Sequence, residues 1–310
     1  MLFRIQSKRR GNHEKLLASI LLLALMLSLA ACGGSAPAPA ATEAPAQETP
    51  APAEEPAEEP AEEPEEVEEE EPFVMGPYGI PVYKSLEDVD LQVVLQANSM
   101  KNLLEYVENF ETVERMATKA DFVGMPDDSY TLEADNHYFL DGGQYVVNSF
   151  HTSDLSYLNM NRLVIYNIVN KEQSRTLQKD SGGLIEWPVQ PEEIDAAVEL
   201  CIIPYYTDFV ELSRSEVDGR YQFALALKPY ENAEQGGSSE YSNCMVEIDP
   251  ETSLIVAYAY DMKMHQNGGT IQDSNGNTYN LAEGDIEQSV TGEVFYNVEG
   301  LAPDYSMLSA

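Results

Sequence analysis

The sequence predicts an α+β fold, a single domain on a bent antiparallel β-sheet (a half-barrel) with an N-terminal helix and inserted covering helices. Three observations predict it. Segments of period-two alternation joined by hairpin signals fill most of residues 112–298. A helical stripe precedes the first of them, and a second helix interrupts them at residue 191. Hairpins with helices inserted, rather than regular strand–helix alternation, argue for α+β over a parallel sheet.

The first helical segment starts near Ser85-Leu86-Glu87-Asp88, which reads as a capping box. Leu91, Val94 and Leu95, then Leu103, Leu104 and Val107, supply its apolar stripe, and Asn98-Ser99 divides it in two. Strands are expected at Thr112–Thr118, Tyr130–Leu140, Gln144–His151 and Arg162–Val169, where β-branched and aromatic residues concentrate. Asp141-Gly142-Gly143 is the hairpin signal between the second and third. Pro191-Glu192-Glu193 opens the inserted helix, because proline suits its first position and acids its first turn. Ile194, Ala197, Val198 and Cys201 form one face at i, i+3, i+4 and i+7, and Pro204 ends it.

The last third reads as hairpins. Tyr221, Phe223, Leu225 and Leu227 alternate with more polar neighbours. Val246 and Ile248 lead into the turn Asp249-Pro250-Glu251-Thr252. The next strand carries Leu254, Val256, Tyr258, Tyr260, Met262 and Met264 on one face, and Ile255, Ala257 and Ala259 on the other. Asn275-Gly276 marks a further hairpin, and Ile286–Val298 is the last strand.

The N-terminus is organised differently. Arg4, Lys8, Arg9, Arg10 and Lys15 precede the uncharged, leucine-rich stretch Leu16–Leu29, and Leu29-Ala30-Ala31-Cys32 follows. A cationic start, a short apolar run and small residues before a cleavage point define an export signal over residues 1–31. Residues 32–72 alternate Ala, Pro and Glu, with 14 Glu between Thr42 and Glu71. Proline favours extended geometry, and like charges repel. Few apolar side chains offset the entropy of ordering, so an extended acidic linker is expected, with a contour on the order of 120 Å. The folded domain then spans 73–310.

The net charge is −37. Loss of residues 1–31, which hold five cations and one acid, leaves −41, and residues 73–310 keep −27 of it. Nucleic acid and anionic lipid surfaces would be repelled, so no nucleic-acid partner is expected.

Cys32 with its preceding residues resembles the lipobox of bacterial lipoproteins. That resemblance implies a thioether-linked diacylglycerol and palmitate-type chains on Cys32. The mature protein would then be lipid-anchored at the extracytoplasmic face of the cell membrane, with the membrane as its first partner. The Asn98–Val107 helix, the inserted helix Pro191–Ile203 and the strand–turn–strand Val246–Leu254 are similar in order to the lipoprotein-carrier superfamily, LolA/LolB/LppX-like. The resemblance implies non-enzymatic binding of a lipid or other amphiphile between sheet and helices. Val256, Tyr258, Tyr260 and Met262 from the sheet, with Ile194 and Val198 from the helix, would line that space. Methionine adapts to irregular ligands and tyrosine offers a polar tip. The same stripe would equally serve as plain core under the helix. In that case the chain is a structural or signalling surface domain that binds a protein.

Cys201 and Cys244 are the two cysteines of the domain. Exported proteins close such pairs as disulfides. Their positions also suit buried free thiols. His137, His151 and His265 lack metal-site spacing, and no nucleophile-elbow or zinc motif occurs. Asp273 to Asn277 departs from a Ca²⁺ loop in the placement of its glycine. No cofactor, no metal and no enzymatic activity are expected.

Overall fold

A computed structural model describes residues 72–309 except 123–124, 181, 188, 204–205, 207, 233–236, 273–277 and 282. The export signal, the linker, Cys32, Pro204, the Asn275-Gly276 turn and the Asp273–Asn277 segment lie outside the described residues.

A hairpin of β1 (Phe73–Met75) and β2 (Pro81–Tyr83) leads into α1 (Leu91–Ala97) and α2 (Met100–Leu103). Next come β3 (Asn109–Phe122), β4 (Met125–Asp141), β5 (Gln144–Ser153), β6 (Met160–Tyr166), β7 (Arg175–Asp180) and β8 (Gly183–Trp187). The 3₁₀ turn Pro191–Glu193 opens α3 (Ile194–Glu199). The chain continues through β9 (Phe209–Val217), β10 (Arg220–Leu227), β11 (Tyr230–Asn232), β12 (Gly237–Ile248) and β13 (Ile255–Gln266). It ends with β14 (Gly269–Gln272), β15 (Thr278–Leu281) and β16 (Gly284–Tyr296).

Twelve of these strands form one open antiparallel sheet, in the order β8-β7-β6-β5-β4-β3-β16-β13-β12-β10-β9, with β11 on β12. Its centre is non-local, because β16 returns from the end of the chain to pair with β3 over 13 residues. The sheet therefore cannot be completed until the last strand is in place. It also exceeds the sequence expectation. β3 and β4 overrun their predicted bounds, and β1, β2, β7, β8, β9, β11, β14 and β15 were not predicted. The helical part is correspondingly smaller, and the predicted Pro191–Ile203 helix is regular only over six residues. The predicted Gly142-Gly143 turn forms, with both residues at positive φ, as a two-residue hairpin between β4 and β5 requires. β14 and β15 pair as a hairpin whose turn falls outside the described residues.

The helix start was misplaced. Residues 85–88 form a turn, in which Ser85 Oγ donates to Asp88 at 2.7 Å. The helix begins at Leu91, where Asp90 accepts from the Val93 N–H as the actual cap. Arg214 on edge strand β9 holds the preceding turn. Its guanidinium donates to the carbonyls of Leu86 and Glu87 at 2.7 and 2.9 Å while paired with both carboxylate oxygens of Glu211.

Asn98, fully buried between α1 and α2, ties three distant segments together. Its amide nitrogen donates to Val94 O at 2.9 Å and to Ser253 O at 3.0 Å. Its amide oxygen accepts from the Ile255 N–H at 3.1 Å. Its backbone carbonyl accepts from Ile202 N at 2.9 Å, beside a bridge between Ser99 and Cys201. One residue thus fixes α1 and the β12–β13 turn through its side chain and the exit of α3 through its backbone carbonyl.

The main core lies between α1–α3 and one face of the sheet. A second cluster, with Phe139, Val146, Leu163 and Leu177, lies on the opposite face of β4–β7. The C-terminal segment covers it with Leu301, Tyr305 and Met307. The Asn148 amide pairs with both backbone groups of Asp304 at 2.8 Å, and Tyr305 donates to Asp141 at 2.6 Å. This wing is buried on both faces, which accounts for the continuous apolar runs at Tyr145–Val147 and Leu163–Tyr166.

Replacing Asn98 by Ala leaves a buried carbonyl at Ser253 and a buried N–H at Ile255 without partners. The expected loss is about 2–4 kcal/mol in urea unfolding, larger than for Asn102→Ala measured alongside.

Candidate functional site

The register of the sheet sets its inner face. One row crosses eight strands through Met160, His151, Ala134, Glu114, Gly292, Tyr258, Val246 and Phe223. The next row holds Gln178, Arg162, Ser149, Asn136 and Thr112. On the other side of the first row, Leu132 pairs with Met116, and Met116 with Val290.

Above these rows lies a cavity of about 230 Å³. Its roof is the α3 segment, through Ala197, Leu200, Cys201 and Ile202. Its floor includes Tyr166 on β6 and Met264 on β13. These strands are five ladder steps apart, about 24 Å along a flat sheet at ~4.8 Å per step. Both residues nonetheless border one cavity beneath the α3 segment.

The floor carries one carboxyl group, Glu114, and one cation, Arg162, among the described lining residues. Tyr258 Oη donates to Glu114 Oε1 at 2.5 Å. The contact depends on Gly292, the residue between them in the row. A Cβ there would lie inside the Tyr258 ring, so the ring passes over β16 only because the strand has no side chain at that point. Burial pushes the Glu114 carboxyl above its ordinary range, against the opposing effect of the Tyr258 bond. Burial first, and then the Glu114 charge, push the Tyr258 hydroxyl up as well, so it remains a donor.

His151 stands in the same row as Glu114, with the small Ala134 between them. Burial, reinforced by the neighbouring Arg162 guanidinium, lowers its pKa to about 3. The imidazole is therefore neutral at physiological pH, and one ring nitrogen donates while the other accepts. The floor thus sets Thr112, Glu114, Asn136, His151 and Arg162 among apolar residues that include Met116, Leu132, Val147, Val164, Met262, Met264 and Ile286.

Of the residues singled out from sequence, Tyr260 and Met262 line the cavity. Tyr258 touches a lining residue, Glu114. Ile194 and Val198 are buried in the main core under α3, and the lining face of α3 is the adjacent one with Ala197. Val256 falls at a register shift: Glu247 pairs with Ala257 but Ile248 with Ile255. The bulge leaves Val256 half-buried, while Ile255, assigned from sequence to the other face, is fully buried. Sequence reasoning missed Glu114, Arg162, His151, Met116 and Leu132. The alternation along β3 and β4 was the available signal, because Thr112, Glu114 and Met116 fall at one parity.

Cys201 and Cys244 are free, buried thiols in this structure. Burial pushes the Cys201 thiol up to about 12 and the Cys244 thiol up to about 11, so neither is a ready nucleophile. Tyr206 lies close to both, and its hydroxyl reaches the carbonyls of Met245 and Ala259 at 2.8 Å beside the β12 bulge. Among the described residues no cluster of His, Cys, Asp and Glu could hold a metal ion. No helix there is long and apolar enough to cross a membrane.

No protein-family model matches the chain. No curated protein matches it either. Among solved structures, a DUF1329 family protein from Desulfovibrio piger aligns over 71% of this chain and 98% of its own, at 13% identity and a TM-score of 0.32. A LolA superfamily protein from Nitrosomonas europaea aligns over 69% of this chain and 96% of its own, at 10% identity and a TM-score of 0.24.

The two titratable groups of the floor give opposite pH signatures. An unfolded histidine binds a proton below pH ~6.5, whereas folded His151 does so only near 3, so stability falls as the pH drops through that window. His151→Gln should flatten urea midpoints between pH 6.5 and 4, gaining about 2–3 kcal/mol at pH 4 relative to wild type. Glu114, raised when folded, weakens the fold as the pH rises above the ordinary carboxylate value. Glu114→Gln should therefore gain stability at neutral pH relative to pH 4. An unchanged pH profile in both variants contradicts the electrostatics described.

Proposed function

We propose that the protein is a membrane-anchored, extracytoplasmic lipoprotein whose LolA-like domain binds a lipid or other amphiphile without catalysing a reaction. The cavity between the bent sheet and the α3 segment is the observation that carries this reading. Its lining is mostly apolar and includes Met100, Met116, Met262 and Met264, with Glu114, His151 and Arg162 among them, the mixture that an amphiphile site uses. A bent antiparallel sheet with an N-terminal helical segment and an inserted cover is also what the resemblance to lipoprotein carriers implies. Anchoring rests on the lipobox at Cys32. Two acyl chains hold a protein stably at a bilayer, at about 0.8 kcal/mol per buried methylene.

The cavity lies below the ~300–1,000 Å³ of drug-sized sites. It suits one chain unless α3 moves.

Native mass spectrometry of the gently purified protein should show a bound lipid. Ala197→Trp, which fills the cavity from its roof, should abolish it while leaving the far-ultraviolet circular dichroism unchanged. A wild-type protein free of lipid, with a partner captured by cross-linking instead, overturns this reading in favour of a protein-binding surface domain. Separately, Cys32→Ser should move the protein from the membrane to the soluble fraction; unchanged pelleting rejects the anchor.

A further inference from the structure

Glu114 is the one carboxyl group among the described residues that line the cavity, and the fold sets how it meets that space. Strand parity turns it to the inner face, in the row that runs through Gly292 to Tyr258. The Tyr258 ring takes the place that a side chain at Gly292 would fill, and its hydroxyl donates to Oε1 at 2.5 Å. Among the described residues the carboxyl makes no second hydrogen bond. A carboxylate has about four acceptor positions on its two oxygens, so Oε2 has capacity to spare. Glu114 is half-buried rather than sealed, and the space it borders is the cavity. The polar groups beside it on the same face are engaged with each other, since the Asn136 amide donates to Thr112 Oγ1 at 3.2 Å. An acceptor fixed in a mostly apolar space selects for a donor, because a ligand without one leaves the acceptor unpaired.

Resting on the amphiphile reading above, the geometry points to an amphiphile whose head donates a hydrogen bond to Glu114 Oε2, with its chain against Met116, Met262 and Met264. Tyr258 is a positioning residue in this arrangement. It occupies Oε1, so the ligand is read by the other oxygen, and Gly292 is what lets the ring reach. A hydroxyl and a primary ammonium share the donor chemistry. A carboxylate head is an acceptor only and would meet Glu114 with nothing to donate. An ether accepts but does not donate, so it fills the same space without the bond.

The test is titration of the full chain at neutral pH with octanol, octylammonium, octyl methyl ether and octanoate, followed by nuclear magnetic resonance of isotope-labelled methionine methyl groups. Met116, Met262 and Met264 then report occupancy of the cavity itself. Octanol, octylammonium or both should bind at least about tenfold more tightly than the ether, and octanoate no more tightly than the ether. The donor that binds more tightly identifies the head. Glu114→Leu should remove the preference by weakening the donor ligands while the ether still binds, which also reports that the variant is folded. Glu114→Gln, in which Tyr258 keeps the amide oxygen and the NH2 group faces the ligand, should narrow the gap by strengthening the ether. Neither donor exceeding the ether in wild type, octanoate as the tightest ligand, or an unchanged preference in Glu114→Leu overturns this inference and leaves the cavity reading intact. Failure of all four ligands to shift the methionine signals overturns the cavity reading itself.

Discussion

Asn98, through its side chain and its backbone carbonyl, is the constraint on which the cavity depends. A bent sheet has an inner face that must be covered, and here the cover is short. α1, α2 and α3 contain seven, four and six residues, below the length at which an isolated helix is stable in water. They hold their places through tertiary contacts. Asn98 supplies the polar part of these by giving its amide to the β12–β13 turn and its carbonyl to the segment after α3. The apolar part comes from Leu95, Leu103, Ile194 and Ile203, all essentially without solvent exposure. Asn98 thus joins cover and sheet near the roof of the cavity.

The inner face itself shows how a sheet accommodates a polar group in a core. Glu114 is placed by its strand parity at the floor of the cavity, where a charge is costly. Tyr258 crosses a glycine to reach it, so its hydroxyl is satisfied by the same bond. His151 stays neutral next to Arg162.

Much of this was legible in the sequence. The parity of Tyr258, Tyr260 and Met262, the Gly142-Gly143 turn and the apolar face of α3 all follow from local periodicity, and the structure keeps them. Three kinds of feature were not legible. The first is non-local pairing, since nothing near Gly292 shows that it will lie between Glu114 and Tyr258. The second is the bulge at Ile255–Val256, because one extra residue reverses the parity of those before it. The third is edge strands such as β8 and β9: β8 is only five residues long, and β9 carries Glu211, Ser213, Arg214, Ser215 and Glu216. Helix length was overestimated for a related reason: Cys201 and Ile202 continue the apolar pattern of α3 but serve the bridge to Ser99 and Asn98 instead.

The C-terminal segment has a consequence for the fate of nascent and truncated chains. It conceals the outer surface of β4–β7, where Phe139, Leu163 and Leu177 would otherwise form an adhesive plane. Because this strap follows β16, the plane stays bare until residues 301–307 have been made. A chain that stops short of residue 300 would present a long, sticky β-surface to its neighbours, so premature termination would yield aggregates rather than a smaller working domain.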